Sequence, residues 1–443
     1  MRVMAGTGRG RWFSWLAVLS TVSLVAPVAW ILTHYRHAVP TGDAFYFHWQ
    51  AQYIADGTGW FVSPYVSLAH QLVPSAAHPP LWVLLLALAD VLGVKSYLSQ
   101  LLAACVIGAA AVFVTGLAAR EVAGPRAGLI AAAIAAVYPN YWINYGLGLS
   151  ETLILLIVAA VVLVAVKVWR RPTLPMTVAL GLLCGLAAAT RAEQVLLIGV
   201  LLVPMLLLSK GVALRRRLQY AGVGTVTALV VIAPWIGFNL SRFSHTTYFS
   251  NDSGTALAMA NCHSAYYGAY LGSGDFHCIA RIKPIEGDES AQDAYYRHVG
   301  LKYLDAHVNR LPVVLVARVA REFGLFRPIP QLHLENDVNG RPLILGEIGL
   351  GMYYALAVAS VFGAVTLWRR PVTLLPFTAV LVELVVASML TFGQTRYRAP
   401  IEVVLVVLAA VAVDALLSRR RSGVPSGTTS EKSTRPASGT IGS

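Results

Sequence analysis

Long runs of apolar residues recur along the whole chain, and short clusters of Lys and Arg separate them. A run of about 20 apolar residues is long enough for a helix to cross a bilayer. Only 12% of the 443 residues are charged, which is too few to cover a soluble protein of this size. The runs therefore predict an all-α polytopic membrane protein. Ten spans are expected, at about 12–33, 97–119, 127–146, 150–169, 174–190, 194–209, 217–240, 346–368, 372–392 and 399–417.

The basic clusters decide the predicted orientation. With ten spans, every cluster lies on the same side as the N-terminus, and the positive-inside rule makes that side cytoplasmic. Both termini of this multi-pass cell-membrane protein are then cytoplasmic. The apolar stretch 78–93 is too short for a comfortable crossing and would invert all later loops, so it is expected to be re-entrant or to lie on the outer surface. The clusters are Arg2/Arg9/Arg11, Arg120/Arg126, Lys167/Arg170/Arg171, Lys210/Arg215/Arg216/Arg217, Arg369/Arg370 and Arg419/Arg420/Arg421.

The net charge of +13 would suggest nucleic acid as the partner of a soluble protein. Here the basic residues follow the loops between spans, and no basic face carries interleaved aromatics, so a nucleic-acid partner is excluded.

The predicted topology divides the chain into five parts. They are a cytoplasmic N-terminus (1–11), an N-terminal membrane module (12–240) with a first external loop (34–96), an external loop domain (241–345), C-terminal membrane helices (346–418) and a disordered cytoplasmic tail (419–443).

The four cysteines fall into two kinds of place. Cys105 and Cys184 lie within spans, where they are expected to pack as small apolar residues. Cys262 and Cys278 both lie in the second external loop. An oxidising compartment outside the membrane permits a disulfide there, and we predict one between these two residues.

Charged residues on the predicted outer side are the candidates for function, because charge at or within a membrane is costly and usually marks a site. Two are carboxylates, Asp43 in the first loop and Glu151 at the outer start of a span. The pairs Arg191/Glu193 and Arg396/Arg398 occupy outer turns. All are predicted to lie at similar depth, and Arg396 and Arg398 oppose the positive-inside rule.

This set of side chains suits group transfer from a lipid phosphate. Guanidinium groups bind phosphate through forked donors, and a nearby carboxylate can accept a proton from an incoming nucleophile. Aromatics such as Tyr46 stack on sugar faces. His78 precedes Pro79 at the predicted membrane surface, and His48 follows Asp43 by five residues. No cluster has the spacing of metal ligands, so no cofactor is certain and a divalent cation is left open.

Structural explanations compete with these functional ones. Asp43 in "PTGDA" also suits a turn or a helix cap. Glu151 also suits the positive end of its own helix. Arg191 and Glu193 also suit a structural ion pair, and for them structure is the better interpretation.

The order of the motifs resembles that of GT-C glycosyltransferases of the family 39 and aminoarabinose-transferase type. The resemblance rests on "TGDAFYFHWQAQYIADGTGW", "HPPLWVLLLAL", Glu151 opening a span, "ATRAEQVLL" and "RYRAPIEVVLVVLAAVA". The second loop, "GTALAMANCHSAYYGAYLGSGDFHC", looks like loops of actinobacterial members. The resemblance implies a GT-C bundle of about 10 membrane helices. It also implies transfer of a hexose or pentose from a polyprenyl-phosphate sugar to an envelope lipid, polysaccharide or protein.

The resemblance also implies roles. Asp43 matches the acidic residue of the first loop that is taken as catalytic, and Glu151 takes the place of a second acidic residue near the site. His78, Arg396 and Arg398 occupy positions for donor-phosphate contacts. Ala44 follows Asp43 where protein mannosyltransferases have a Glu, which disfavours protein mannosylation. Ala77 replaces a glutamate of the aminoarabinose transferases, which removes one proposed metal contact.

Direct displacement with Asp43 as the general base would invert the anomeric centre.

Two other classes of protein remain as alternatives to a glycosyltransferase. A lipid or solute transporter or flippase would also use intramembrane charge, but no internal repeat is visible and the charges gather at one face. A non-catalytic envelope scaffold would not need the set of carboxylates and arginines.

Overall fold

The computed structural model describes residues 4–64, 72–209, 211–369 and 372–422, and within these ranges the regular structure is helical. The predicted disordered tail lies outside them from residue 423 onward. The longer helices are α1 (Met4–Val22), α2 (Val25–His34), α3 (Asp43–Ala55), α4 (Leu81–Val91), α5 (Tyr97–Ala123), α6 (Pro125–Val137), α7 (Glu151–Arg170), α8 (Leu174–Thr190), α9 (Leu214–Leu240), α10 (Glu289–Ala306), α11 (Leu311–Glu322), α12 (Pro328–Asn339), α13 (Leu343–Trp368), α14 (Leu375–Leu390) and α15 (Ala399–Ser422).

Within the described ranges, six helical stretches are long and apolar enough to cross a membrane. They coincide with six of the ten predicted spans, and the other four predicted spans coincide with shorter apolar helices. The all-α polytopic fold is therefore as predicted. Helix α4, in the stretch 78–93, has 11 residues. The six are Gly10–His34, Tyr97–Ala123, Glu151–Arg170, Leu214–Leu240, Leu343–Trp368 and Thr395–Arg419.

Prolines explain where the helices depart from the predicted spans. A proline lacks an N–H, and its ring collides with the carbonyl four residues earlier. Pro27 accordingly follows the break between α1 and α2. Pro139 ends α6 at Val137, because the residue before a proline is pushed out of the helical region. A π-helical turn over Ile198–Leu202 interrupts the helical segment between α8 and α9.

The centre of the bundle is formed by α7 and α15, which are mostly buried. Helix α13 lies along α15 at very close range. A Cβ on Gly363 of α13 would come within 1.9 Å of the backbone oxygen of Leu408 in α15. Only a glycine fits that crossing, and it lets two apolar helices pack backbone to backbone.

The segment between α9 and α13 folds against one end of the bundle. It includes helices α10 and α11, and α11 packs against other parts of the protein. Arg318 and Arg321 of α11 are buried in protein, and they donate to backbone carbonyls such as Ala260 O (2.7 Å) and Leu271 O (2.6 Å). The arginine side of α11 therefore faces inward and fixes the loops around it.

The same segment carries the cysteine pair. Cys262 and Cys278 form a disulfide, with their Cα atoms 6.3 Å apart. Cys105 and Cys184 are free and buried in the bundle.

Gly363→Ala is expected to destabilise the fold by about 1–3 kcal/mol, because its methyl group must push α13 away from α15. Gly351→Ala is the matched control, since a Cβ at that position of the same helix meets nothing within 4 Å. Thermal unfolding of the full chain in detergent measures both. Equal melting temperatures for the two variants would contradict the close crossing.

Peptide mapping by mass spectrometry, with and without reductant, is expected to find the peptides of Cys262 and Cys278 linked until reduction. The thiols of Cys105 and Cys184 should alkylate only after unfolding, because both are buried. Two free thiols at Cys262 and Cys278 in the native protein would refute the bridge.

Candidate active site

Asp43 begins α3 in a way that favours a role in the site over a helix cap. Gly42 occupies the N-cap position with a φ of 55°, and no side chain caps the helix. A Cβ on Gly42 would lie 2.8 Å from Oδ1 of Asn339. The carboxylate of Asp43 accepts a hydrogen bond from Nη2 of Arg396. The glycine thus allows α12 to approach closely, and the aspartate points across to another part of the chain.

Arg396 connects three separate parts of the chain. Its Nη2 donates to Oδ2 of Asp43, and its Nη1 donates to Oδ1 of Asn339 in α12 at 2.9 Å. Its Nε lies 3.5 Å from Oε1 of Glu151 at the start of α7. The turn that carries Arg396 is itself held, because the backbone N–H groups of Thr395 and Arg396 both donate to Oε1 of Glu335. Arg396 is buried and oriented before any ligand arrives.

Arg191 forms a second cationic centre beside the first. Its Nη1 donates to Oε1 of Glu151 at 2.8 Å, and its Nε donates to Glu193. Its guanidinium lies 4.7 Å from the ring centroid of Tyr397, a cation–π contact. Glu151 is almost completely buried between the two arginines. It therefore holds Arg191 and Arg396 side by side although their like charges repel.

His78 completes the group. Its Nε2 lies 3.9 Å from Oδ1 of Asp43, and its ring packs edge-on against Tyr46 with centroids 5.2 Å apart. Burial lowers the pKa of His78, so the ring is neutral at neutral pH. Burial raises the pKa of Asp43, but the charge of Arg396 outweighs this and holds that pKa well below the ordinary range. Asp43 is therefore ionised in the free protein.

These groups surround a cavity of about 580 Å³. Among the predicted site residues, Asp43, Tyr46, His78, Arg191 and Arg396 line it. Glu151 contacts both Arg191 and Arg396 but does not itself line the cavity.

Two residues predicted to contact the substrate, Arg398 and His48, lie away from the cavity. Arg398 points into the bundle, where its Nε donates to Oε1 of Glu402 at 2.7 Å. Its guanidinium also lies 3.6 Å from the ring centroid of Tyr353. His48 lies on the far face of α3, with Nδ1 2.7 Å from Oε1 of Gln100. Neither side chain lines the cavity.

Several cavity residues were not predicted from the sequence. Asp252 belongs to the segment between α9 and α13, and burial, with a contribution from the charge of Asp43, raises its pKa to about 7. Two contacts bring it there, from Ser250 Oγ to Ala77 O (2.6 Å) and from Asn251 N to Ala76 O (3.0 Å). No local pattern marks such a residue.

Glu383 also lines the cavity, and its position in the sequence could have identified it as a candidate site residue. It is a lone carboxyl in the middle of an apolar span, and such a residue is by default a functional candidate.

No group of three or more His, Cys, Asp and Glu in the described ranges is arranged to hold a metal ion. The structure therefore assigns no ligand set to the divalent cation that the sequence left open.

Comparisons with known proteins show what the chain is similar to. The model of the family described as dolichyl-phosphate-mannose-protein mannosyltransferase matches residues 77–238. A solved structure of the archaeal oligosaccharyltransferase AglB from Archaeoglobus fulgidus, in complex with an inhibitory peptide and a dolichol-phosphate, aligns with a TM-score of 0.55 and 14% identity over 94% of this chain and 52% of that chain. The apo form aligns with a TM-score of 0.54 and 15% identity over 93% and 51%.

The chain thus spans about half the length of these relatives. ArnT from Cupriavidus metallidurans in the apo state aligns more weakly, with a TM-score of 0.41 and 18% identity over 93% of this chain and 79% of that chain. No curated protein matches the sequence. The fold is that of a polytopic GT-C membrane protein. The family model covers less than half of the chain, and the solved structures show a likeness of fold.

Arg396→Gln is expected to raise the pKa of Asp43, because it removes the positive charge that outweighs burial. Infrared difference spectroscopy of the protonated carboxyl band, with Asp43→Asn to identify the signal, measures the change. In the wild type Asp43 should stay ionised at mildly acidic pH, whereas in the variant it should take up a proton at higher pH. An unchanged titration would mean that Arg396 does not control Asp43.

Proposed function

We propose that the protein is an integral-membrane glycosyltransferase that moves a sugar from a polyprenyl-phosphate sugar to an acceptor on the outer side of the cell membrane. The observation that carries the proposal is the juxtaposition of an ionised Asp43 with two fixed arginines in one cavity. The dolichol-phosphate in the AglB complex and the name of the matching family support a lipid-phosphate donor.

The geometry suggests how the parts would act. The phosphate of the donor would bind to Arg396 and Arg191, whose fixed donors match its charge. The phosphate would compete with Asp43 for Arg396, and the pKa of Asp43 would then rise toward the value expected for its buried position. Asp43 would thus become a stronger base when the donor is bound.

The transfer step would be a direct displacement with inversion. The acceptor oxygen or nitrogen forms a bond to the anomeric carbon, and its proton passes to Asp43. The bond from that carbon to the phosphate oxygen breaks, and polyprenyl phosphate leaves with the electron pair. The arginines stabilise the charge that develops on the leaving phosphate. Glu151 would act by positioning both arginines, since it does not line the cavity.

We also propose the predicted orientation, with both termini cytoplasmic and the site outside. Arg170 lies at the opposite end of α7 from Glu151, about 30 Å of helix away. Arg126 pairs with Asp414 late in α15, whereas Arg396 precedes the start of that helix. Basic residues at the end opposite the site agree with the positive-inside rule.

Asp43→Asn is expected to lower transfer by about 10²–10⁴-fold, because it removes the base. Lipid mass spectrometry of cells that carry the variant should show one polyprenyl-phosphate sugar accumulating while an envelope glycan shortens. Asp56→Asn is the matched control, since Asp56 follows the same helix and forms an exposed pair with Lys95. Normal turnover in Asp43→Asn would refute the mechanism. A trapped solute without any change in carrier lipids would favour a transporter.

A further inference from the structure

The cavity extends into the bundle beyond the arginines. Glu383 lies in the middle of α14 and is completely buried, yet it lines the cavity. Thr391, the residue directly after α14, also lines the cavity and lies eight residues beyond Glu383. Eight residues of helix span about 12 Å, so the cavity reaches well below its polar rim.

Three buried side chains in this deep part have polar atoms without partners. Nε2 of Gln194 donates to Oε1 of Glu383 at 2.9 Å, but Oε2 of Glu383 and Oε1 of Gln194 have no hydrogen-bond partner. Oε2 of Glu322 accepts from the N–H of Gln394 at 3.0 Å, and its Oε1 has no partner. Buried polar atoms are rarely left in this state, because each one loses its hydration without a replacement.

The chemistry of the three groups suits hydroxyl groups better than phosphate. Burial raises the pKa of Glu322 to about 8, so this carboxyl is protonated at neutral pH and can donate as well as accept. A carboxamide likewise offers both donors and acceptors. Carboxyl groups repel phosphate when ionised, and the cations that would hold phosphate lie at Arg191 and Arg396.

The cluster is tied to the segments that carry those arginines. Gln194 follows Arg191 by three residues, and its turn is closed by a hydrogen bond from Gln194 N to Arg191 O at 3.1 Å. Gln394, which holds Glu322, precedes Arg396 by two residues. Because the cluster and the arginines line the same cavity, a group bonded to a phosphate on the arginines would lie within that cavity near the cluster.

We infer that Glu383, Gln194 and Glu322 bind the ring hydroxyl groups of the sugar carried by the lipid-phosphate donor and thereby select which sugar is transferred. This inference rests on the proposed function, because it takes the phosphate to lie on the arginines. The unpartnered oxygens of the three side chains would each gain a sugar hydroxyl.

The test compares the affinity of the full chain in detergent for undecaprenyl phosphate with its affinity for undecaprenyl-phosphate mannose, glucose and arabinose, by native mass spectrometry. The wild type is expected to bind at least one of the three sugar carriers about 10-fold more tightly than the bare carrier. Glu383→Leu and Gln194→Leu should each reduce this preference by about 5- to 10-fold while the affinity for the bare carrier stays unchanged. Glu383→Gln should keep most of the preference, because an amide also donates and accepts.

Ser388→Ala is the matched control. Ser388 lines the same cavity, but its hydroxyl already donates to Val385 O within its own helix at 3.0 Å. Gln194→Leu decides the test if Glu383→Leu fails to fold. An unchanged preference in the leucine variants, an equal loss for bare and sugar-bearing carriers, or a wild type without preference would overturn the inference alone. A wild type that binds none of the four lipids would instead overturn the proposed function.

Discussion

The contacts of Arg396 hold the candidate site together. One guanidinium reaches Asp43 from α3 and Asn339 from α12, and it lies 3.5 Å from Glu151 at the start of α7. Buried charge is tolerated only where partners compensate for lost hydration, so the three elements must meet wherever Arg396 lies. Glu335 of α12 fixes the turn of Arg396. The bundle and the segment between α9 and α13 therefore form one site.

The sequence predicted the membrane fold and marked candidate residues that the structure brings to one cavity. Apolar runs have a length that only membrane helices require, and charges on the unexpected side of a span stand out against them. This contrast identified Asp43, Arg191 and Arg396, which the structure brings together. The helix boundaries were less predictable, because prolines such as Pro27 and Pro139 break helices within apolar runs that are long enough to span.

The differences between the predicted site residues and the residues that line the cavity have geometric causes. His48 follows Asp43 by five residues, which on an α-helix turns it about 140° away, so both cannot face one cavity. Arg398 lies two residues after Arg396 in a tight turn and points into the bundle. Asp252 and Asn339 enter the site through contacts between segments that are distant in sequence, and no local pattern encodes such contacts. Glu383 was missed although its place in an apolar helix was a visible signal.

The ion pair between Arg396 and Asp43 has a kinetic consequence under the proposed mechanism. While Arg396 is paired with Asp43, the basicity of the aspartate is suppressed, so the base would be active only in complexes that hold the donor phosphate. The carrier lipid that leaves has the same phosphate group as the donor. Free carrier lipid would therefore compete with the donor for Arg191 and Arg396 and act as a product inhibitor.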